Sequence, residues 1–94
     1  MKIVSTHDYI DQVTEMERAF LERNSVYNVM CYLVDNGKGD TDLGKQWMTR
    51  YQEALMNYEI ASKKFELAVV KPIMKNEPYM NWEIVFGEEK IYIS

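Results

Sequence analysis

The sequence predicts an α+β fold in which a long antiparallel two-helix hairpin is followed by a C-terminal β-hairpin. Apolar residues recur at helical spacing through two long segments, and a Gly-containing stretch separates these segments. The chain then closes with two β-type runs around a Gly-Glu-Glu turn. A hydrophobic content of 47% with 28% charged residues is typical of a globular protein, and 94 residues suffice for one core, so we expect a single domain over residues 1–94.

The first helix is predicted over residues 8–35. Ser5 precedes Asp8 by three positions, which is the spacing of a capping box at a helix start. Beyond it, the candidate core positions alternate in steps of three and four, and this heptad spacing predicts one packing seam. The seam contains Ile10, Val13, Glu17, Phe20, Asn24, Tyr27, Cys31 and Val34. Glu17 and Asn24 are its polar positions: they line a polar pocket, the helices fan open there, or the pair fixes the register of the helices.

The second helix is predicted over residues 41–70. It follows the sequence "DNGKGD", whose glycines suit a helix connection, and Asp40 or Thr41 can cap its start. Its seam contains Trp47, Tyr51, Ala54, Tyr58, Ala61, Phe65 and Ala68. Pro72 has no amide proton, so we expect it to end or kink this helix. Because the connection between the helices is short, they should pack as an antiparallel hairpin.

Apolar residues also lie beside both seams, where a single partner helix cannot cover them. These flanking residues are Met16, Leu21, Met30 and Leu33 in the first helix and Leu55, Ile60 and Leu67 in the second. We expect the C-terminal β-hairpin, a second copy of the chain or a different protein to cover them.

The β-hairpin is predicted over residues 81–94. A two-residue type II′ turn at Gly87 and Glu88 would place the apolar side chains on one face. The resulting opposite pairs are Phe86 with Glu89, Ile84 with Ile91 and Trp82 with Ile93, while Glu83, Val85, Lys90 and Tyr92 form a mixed, wet face. An isolated hairpin is marginal in water, so it needs a helical surface or a third strand, for which Lys2–Ser5 is the candidate.

The sequence contains no pattern that predicts catalysis or a bound cofactor. One cysteine and one histidine exclude an internal disulfide and a zinc cluster, and the Glu-x-x-His motifs of di-iron bundles are absent. Cys31 and His7 lie about 36 Å apart if 24 residues of helix separate them, which excludes a Cys-His pair. The glycines of "NGKGD" lack the preceding strand and following Lys-Ser/Thr of a phosphate loop. We therefore expect a protein that is not an enzyme and that holds no metal.

Charge and composition favour a protein or peptide partner. A net charge of −4 and a longest basic cluster of two lysines disfavour direct nucleic-acid binding. No apolar run approaches the roughly 20 residues of a membrane span, and no segment resembles a signal peptide, so we expect a cytoplasmic protein. Seven Met and seven Tyr are residue types that are common at adaptable interfaces, although they also fit a soft core.

Three stretches carry a family resemblance: "FLERNSVYNVM", "WMTRYQEALMNYE" and "NWEIVFGEEKIYIS". In this order they resemble the small accessory proteins of CXXX repeat peptide modification systems. The resemblance implies a helper for a ribosomally made peptide that a radical SAM maturase modifies, and it implies no catalytic residue. The matching positions are Glu22, Arg23 and Asn24 in the first run and Trp82, Glu83, Ile84, Phe86 and Tyr92 in the last.

Three functions follow as hypotheses. The first is a non-enzymatic adaptor that binds the precursor peptide, its maturase or both by strand addition to the β-hairpin. The candidate partner-binding residues are Trp82, Glu83, Ile91, Tyr92 and Ile93. The second is an acidic inhibitor of phage or plasmid type that occupies the nucleic-acid-binding groove of a target protein. The third is a helical dimerisation module in which two hairpins form a four-helix core.

Overall fold

The computed structural model describes all residues 1–94 and confirms the α+β class. The strands and helices, in chain order, are β1 (Lys2–Ser5), α1 (Ile10–Asp35), α2 (Asp42–Phe65), α3 (Lys71–Met74), β2 (Trp82–Val85) and β3 (Lys90–Ile93). A 3₁₀ turn, Thr6–Tyr9, precedes α1, and a π-helical segment, Glu66–Val70, joins α2 to α3. Neither of the long helices contains an apolar stretch that could span a lipid bilayer, and α3 is only four residues long.

Short polar and glycine residues define the helix ends. Ser5 Oγ accepts a hydrogen bond from the His7 N–H at 3.2 Å, so the predicted cap is present, although it opens the 3₁₀ turn and α1 begins only at Ile10. Helix α1 ends at Asp35, and Gly37, two residues later, has a φ of 72°. The Lys38 N–H bonds to Leu33 O at 2.8 Å and the Gly37 N–H to Val34 O at 3.0 Å, which is a Schellman motif.

Thr41 begins the second helix, and Gly44 lets its first turn approach the preceding loop. Thr41 Oγ1 accepts a hydrogen bond from the Gly44 N–H at 3.1 Å, so Thr41 is the cap of the two predicted candidates. Gly44 is buried, and a Cβ on it would overlap the backbone oxygens of Lys38 and Gly39. Only glycine therefore fits at this point of the hairpin.

The seam of the second helix follows the prediction as far as Phe65. Ala54 and Phe65 are each 2% exposed, but Ala68 is exposed and the fully buried residues are Val69 and Val70. The π-helical segment causes this shift because it takes up one extra residue in a turn and so rotates the following side chains. Helical backbone continues through Pro72 to Met74, so Pro72 does not end the helix, and the π-helical turn lies directly before it.

The predicted seam of the first helix is wrong at several positions. Ile10, Tyr27 and Val34 are 47% to 56% exposed, whereas Met16 and Leu33, which were expected beside the seam, are buried. A straight α-helix drifts about 20° per heptad relative to a strict seven-residue repeat. Residues chosen by strict heptad spacing therefore leave the packed face over a helix of 26 residues.

The chain divides into two compact units, each with its own packing. The helical-hairpin unit is Arg18–Ala61. Within it, the rings of Phe20 and Tyr58 lie 6.2 Å apart and those of Tyr27 and Tyr51 lie 5.5 Å apart. The later residue of α1, Tyr27, contacts the earlier residue of α2, Tyr51, so the two helices are antiparallel, as predicted.

The sheet unit consists of Met1–Glu17 and Ser62–Ser94 and holds most of the buried side chains. Its buried residues are Thr6, Val13, Met16, Phe65, Val69, Val70, Met74, Ile91 and Ile93. The Lys64 ammonium lies 2.9 Å from a carboxylate oxygen of Glu15 on the surface of this unit. The inner face of the sheet and the end of the second helical segment thus supply the main core.

The sheet has three antiparallel strands in the order β1-β3-β2. The predicted pairs Ile84 with Ile91 and Trp82 with Ile93 are confirmed, and β1 is the third strand. The predicted type II′ turn is wrong, because Gly87 does not have a positive φ. Instead, a four-residue loop over residues 86–89 places Glu89 in the left-handed region at a φ of 56°, and the parity of the strands is unchanged.

Candidate functional site

Strand β3 lies in the centre of the sheet, which changes the predicted partner-binding set. Ile91 and Ile93 are fully buried, and β3 has a neighbouring strand on each side. Their side chains therefore belong to the core, and their backbone groups are used within the sheet. The stretch from Ile91 to Ser94 offers no edge to a partner.

The remaining three predicted residues lie on or beside β2. Trp82 is half-buried, and its ring stacks on Phe65 with centroids 5.3 Å apart and an interplanar angle of 29°. Glu83 is exposed and lies directly opposite the half-buried Tyr92 on the outer face of the sheet. The structure thus places Trp82 and Glu83 on an edge strand and Tyr92 next to it.

The hydrogen-bond pattern shows which backbone groups of β2 face outward. Asn81 and Ser94 exchange both backbone bonds, at 3.0 and 2.9 Å. Bonded and non-bonded pairs alternate along an antiparallel ladder, so Glu83 and Val85 face β3. The N–H and C=O groups of Trp82 and Ile84 then point away from the sheet, and no further backbone bond reaches them. We call this row of outward groups, together with the exposed side of β2, the β2 edge.

The other edge of the sheet is β1, and it is chemically different. The Thr6 N–H bonds to Glu89 O at 3.0 Å, so by the same alternation the outward groups belong to Ile3 and Ser5. On the inner face β1 presents Lys2 and Val4, whereas β2 presents Trp82 and Ile84. Only the β2 edge therefore combines free backbone groups with two large apolar side chains on the core side.

A shallow groove of about 340 Å³ lies at the turn end of β1 and β3. Its polar wall includes His7 and Glu89, whose Nε2 and Oε2 atoms are 2.6 Å apart. Both side chains are well exposed, so water competes with this contact. The groove contains no unpaired buried polar atom, and nothing in it indicates a ligand.

The outer face beside the β2 edge is mixed, with Glu83 opposite Tyr92 and Lys90 opposite Val85. The Tyr92 hydroxyl donates a hydrogen bond to Glu88 Oε1 at 2.7 Å. This bond, together with the negative charges of Glu88 and Glu83, raises the pKa of Tyr92 above its usual value. Glu83 forms no hydrogen bond or ion pair within the chain. Its carboxylate is therefore free for a cationic group of a partner.

The segment that leads into β2 is anchored at both of its sides. The Tyr79 hydroxyl donates to Glu66 Oε2 at 2.7 Å, and Lys63 lies 3.7 Å from the same carboxylate. The hydrogen bond from Tyr79 is the main cause of a lowered pKa for Glu66, and the nearby lysines lower it further. The N–H groups of Met80 and Asn81 both bond to Ser94 O. The start of the β2 edge is consequently held in place before any partner binds.

The two polar seam positions, Glu17 and Asn24, make no contact that would indicate a shared binding site. Glu17 is half-buried at the end of one segment of the sheet unit. In the helical-hairpin unit, Asn24 Oδ1 accepts a hydrogen bond from Arg23 at 3.3 Å. The Arg23 guanidinium lies 4.1 Å from the centroid of the Tyr58 ring, a cation–π contact that heptad spacing did not predict. No group of three or more His, Cys, Asp and Glu side chains is placed to hold a metal.

Ile84 is the one residue of the β2 edge that was missing from the predicted set. Its parity with Trp82 on the inner face was predicted, but its importance depends on β1 pairing with β3, which leaves β2 outermost.

Comparisons with known proteins give no match, whether with protein-family models, curated proteins or solved structures.

Proposed function

We propose that this protein is a non-enzymatic adaptor that binds an extended peptide segment by strand addition at the β2 edge. The observation that carries the proposal is the pair of outward N–H and C=O groups of Trp82 and Ile84, flanked by a half-buried apolar face. Main-chain hydrogen bonds to such an edge supply affinity, and alternate side chains supply selectivity. The anchored start of β2 supports the proposal because little ordering is then needed on binding.

The family resemblance supports a particular ligand. It leads us to propose that the bound segment belongs to the precursor peptide of a CXXX repeat peptide modification system or to its radical SAM maturase. Trp82, Glu83 and Ile84, which match the family's last run, lie on the β2 edge.

Amide hydrogen exchange with and without precursor peptide tests the proposal. The amides of Trp82 and Ile84 should exchange quickly in the free protein and become protected in the complex, whereas those of Glu83 and Val85 are already bonded and should change little. Unchanged exchange of Trp82 and Ile84 at saturating peptide would overturn the proposal.

A matched pair of proline variants locates the binding edge. Ile84→Pro removes an outward N–H from β2, and Ile3→Pro removes an outward N–H from β1 in the same way. We expect Ile84→Pro to weaken peptide binding and Ile3→Pro to leave it unchanged, with circular dichroism confirming that both variants fold. Equal effects of the two substitutions would contradict the assignment to β2.

A second candidate function is homodimerisation through the helical-hairpin unit. Within this unit only Leu33, Gly44 and Ala54 are buried, whereas Tyr27 and Val34 remain about half exposed. Two such hairpins would cover these side chains in a four-helix core. Light scattering tests the candidate, since a dimer has about twice the 11.2 kDa of the single chain and a monomeric mass excludes it.

The acidic-inhibitor hypothesis finds less support. It predicts acids clustered on one continuous face, but the acids of this sequence are interspersed with Lys and Arg apart from Glu88 and Glu89. We therefore do not propose it as the function.

A further inference from the structure

We infer that the β2 edge selects a peptide whose bound residues alternate in the order apolar, basic, apolar. This inference rests on the proposed function, since it describes the ligand that strand addition at this edge would favour. Three features of β2 support the inference: the outward backbone groups of Trp82 and Ile84, the inner face that these two side chains share, and the unpaired carboxylate of Glu83.

The backbone fixes the register of the added strand. Trp82 and Ile84 supply the outward hydrogen-bonding groups, so two ligand residues, one residue apart, pair with them. The ligand residue between these two then lies opposite Glu83. In an antiparallel pairing this is the closer, non-bonded type of pair, with Cα atoms about 4.5 Å apart.

Side-chain parity then assigns each ligand position to a face. Directly opposite residues point to the same side of a sheet, so the two outer ligand residues join Trp82 and Ile84 on the inner face. Both of these side chains are only half-buried, which leaves apolar surface for the ligand to cover. The triplet has the same pattern when it is reversed, so the assignment holds for both strand directions.

The middle ligand residue meets Glu83 on the outer face. Glu83 is exposed and has no partner in the chain, and it lies opposite Tyr92, whose hydroxyl donates to Glu88. Lys90 is on the same face but lies opposite Val85, one pair further from the start of β2. A Lys or Arg at the middle position would form a cross-strand ion pair with Glu83, whereas an acid there would place like charges directly opposite each other. The net charge of −4 favours approach of the same cationic peptide over a longer range.

Synthetic peptides that differ only in the charged residue test the inference. The probes are Val-Lys-Val-Lys-Val-Lys-Val, its Glu counterpart and its Gln counterpart, with affinities measured by calorimetry in 0.15 M salt. We expect the Lys peptide to bind more tightly than the Glu peptide by about twofold to thirtyfold, with the Gln peptide between them.

A charge reversal on the edge locates the cause of the preference. Glu83→Lys should reverse the order of the Lys and Glu peptides. Glu53→Lys makes the same change in net charge at an exposed position of α2, outside the β2 edge, and should leave the order intact. Equal responses of the two variants would show that only net charge matters and would overturn the inference.

Hydrogen exchange separates the two proposals. If the Lys and Glu peptides both protect Trp82 and Ile84 with equal affinity, strand addition stands and the selectivity is wrong. If neither peptide protects these amides and the natural precursor peptide also fails to do so, the proposed function itself is wrong. Tighter binding of the Lys peptide with protection confined to the amides of Ile3 and Ser5 would assign the site to β1 and would contradict both.

Discussion

The inner face of the sheet makes a quantitative prediction about Ile91. Ile91 is fully buried on this face, whereas Ile3 lies opposite Tyr92 on the outer face and is 55% exposed. Truncation of a buried Ile to Ala removes transfer free energy and leaves a cavity, which together cost about 2–5 kcal/mol. At Ile3 the surrounding water already wets half of the side chain and no enclosed cavity forms, so the cost should stay below about 1 kcal/mol.

Urea unfolding of Ile91→Ala and Ile3→Ala measures this difference. A chain of 94 residues has a free energy of unfolding of about 5–14 kcal/mol, so the Ile91 variant loses a large part of its stability. If it does not fold, Ile91→Val provides the comparison, with an expected loss of about 0.5–1.5 kcal/mol. Equal losses for Ile91→Val and Ile3→Val, with unchanged urea dependence, would show that the inner face of the sheet is not buried at Ile91 and would refute the reasoning.

Three further predictions concern the turns, the start of α2 and the contact between Tyr79 and Glu66. Glu89→Gly should be more stable than Glu89→Ala by about 1 kcal/mol, because both lose the carboxylate but only glycine relieves the left-handed backbone; thermal unfolding of the pair measures this, and equal stability contradicts it. Gly44→Ala should destabilise the protein by more than about 1 kcal/mol, whereas Gly87→Ala, which meets no atom within 4 Å, should be nearly neutral. Urea unfolding measures both, and a larger loss of stability for Gly87→Ala would indicate the type II′ turn after all. Tyr79→Phe removes the main cause of the lowered pKa of Glu66. Because the pKa of Glu66 is lower in the folded than in the unfolded protein, the carboxylate stabilises the fold at a pH above the unfolded-state pKa, and this stability is lost as the pH falls through the folded-state pKa. The urea midpoint of the variant should therefore drop at pH 7 and much less in acid, and a drop that does not depend on pH would exclude this linkage.

The sequence was sufficient to predict the fold class and the register of the β-hairpin. Side chains alternate with a period of two in a strand, so only one parity puts Trp82, Ile84 and Ile91 on one face. That argument depends on the whole apolar pattern and not on the turn. The predicted register is therefore confirmed although the predicted turn type is wrong, since Glu89 rather than Gly87 adopts the positive φ.

The position of the third strand could not be predicted from the same information. Parity states which face a strand buries, but it does not state on which side of the hairpin β1 adds. Both β2 and β3 offered an edge, and the choice depends on where the chain must enter α1, which is a long-range constraint. Because β1 pairs with β3, both backbone edges of β3 are used within the sheet, and Ile91 and Ile93 leave the predicted binding site.

The phase of the helices was only partly predictable for a related reason. Periodicity assigns a residue to a face only while the number of residues per turn stays constant. The π-helical segment at Glu66–Val70 breaks this condition. Its own sequence "ELAVV" contains no Pro or Gly, and although Pro72 two residues later predicts a disturbance of the helix, it does not predict that one extra residue is taken up. Because the π-helical turn takes up one extra residue, Val69 is buried in the core where the periodicity predicted Ala68, and Ala68 is exposed.

An open sheet edge also risks pairing with another copy of itself, and Glu83 opposes that pairing. If two β2 edges met antiparallel through the outward groups of Trp82 and Ile84, the two Glu83 residues would lie directly opposite each other. Like charges in that position destabilise the pair. We therefore predict that a mixture of the wild-type protein and Glu83→Lys associates more strongly than either protein alone, because the mixture brings opposite charges together. Sedimentation velocity of the mixture and of each component measures this, and identical association in all three samples would show that the β2 edge is closed.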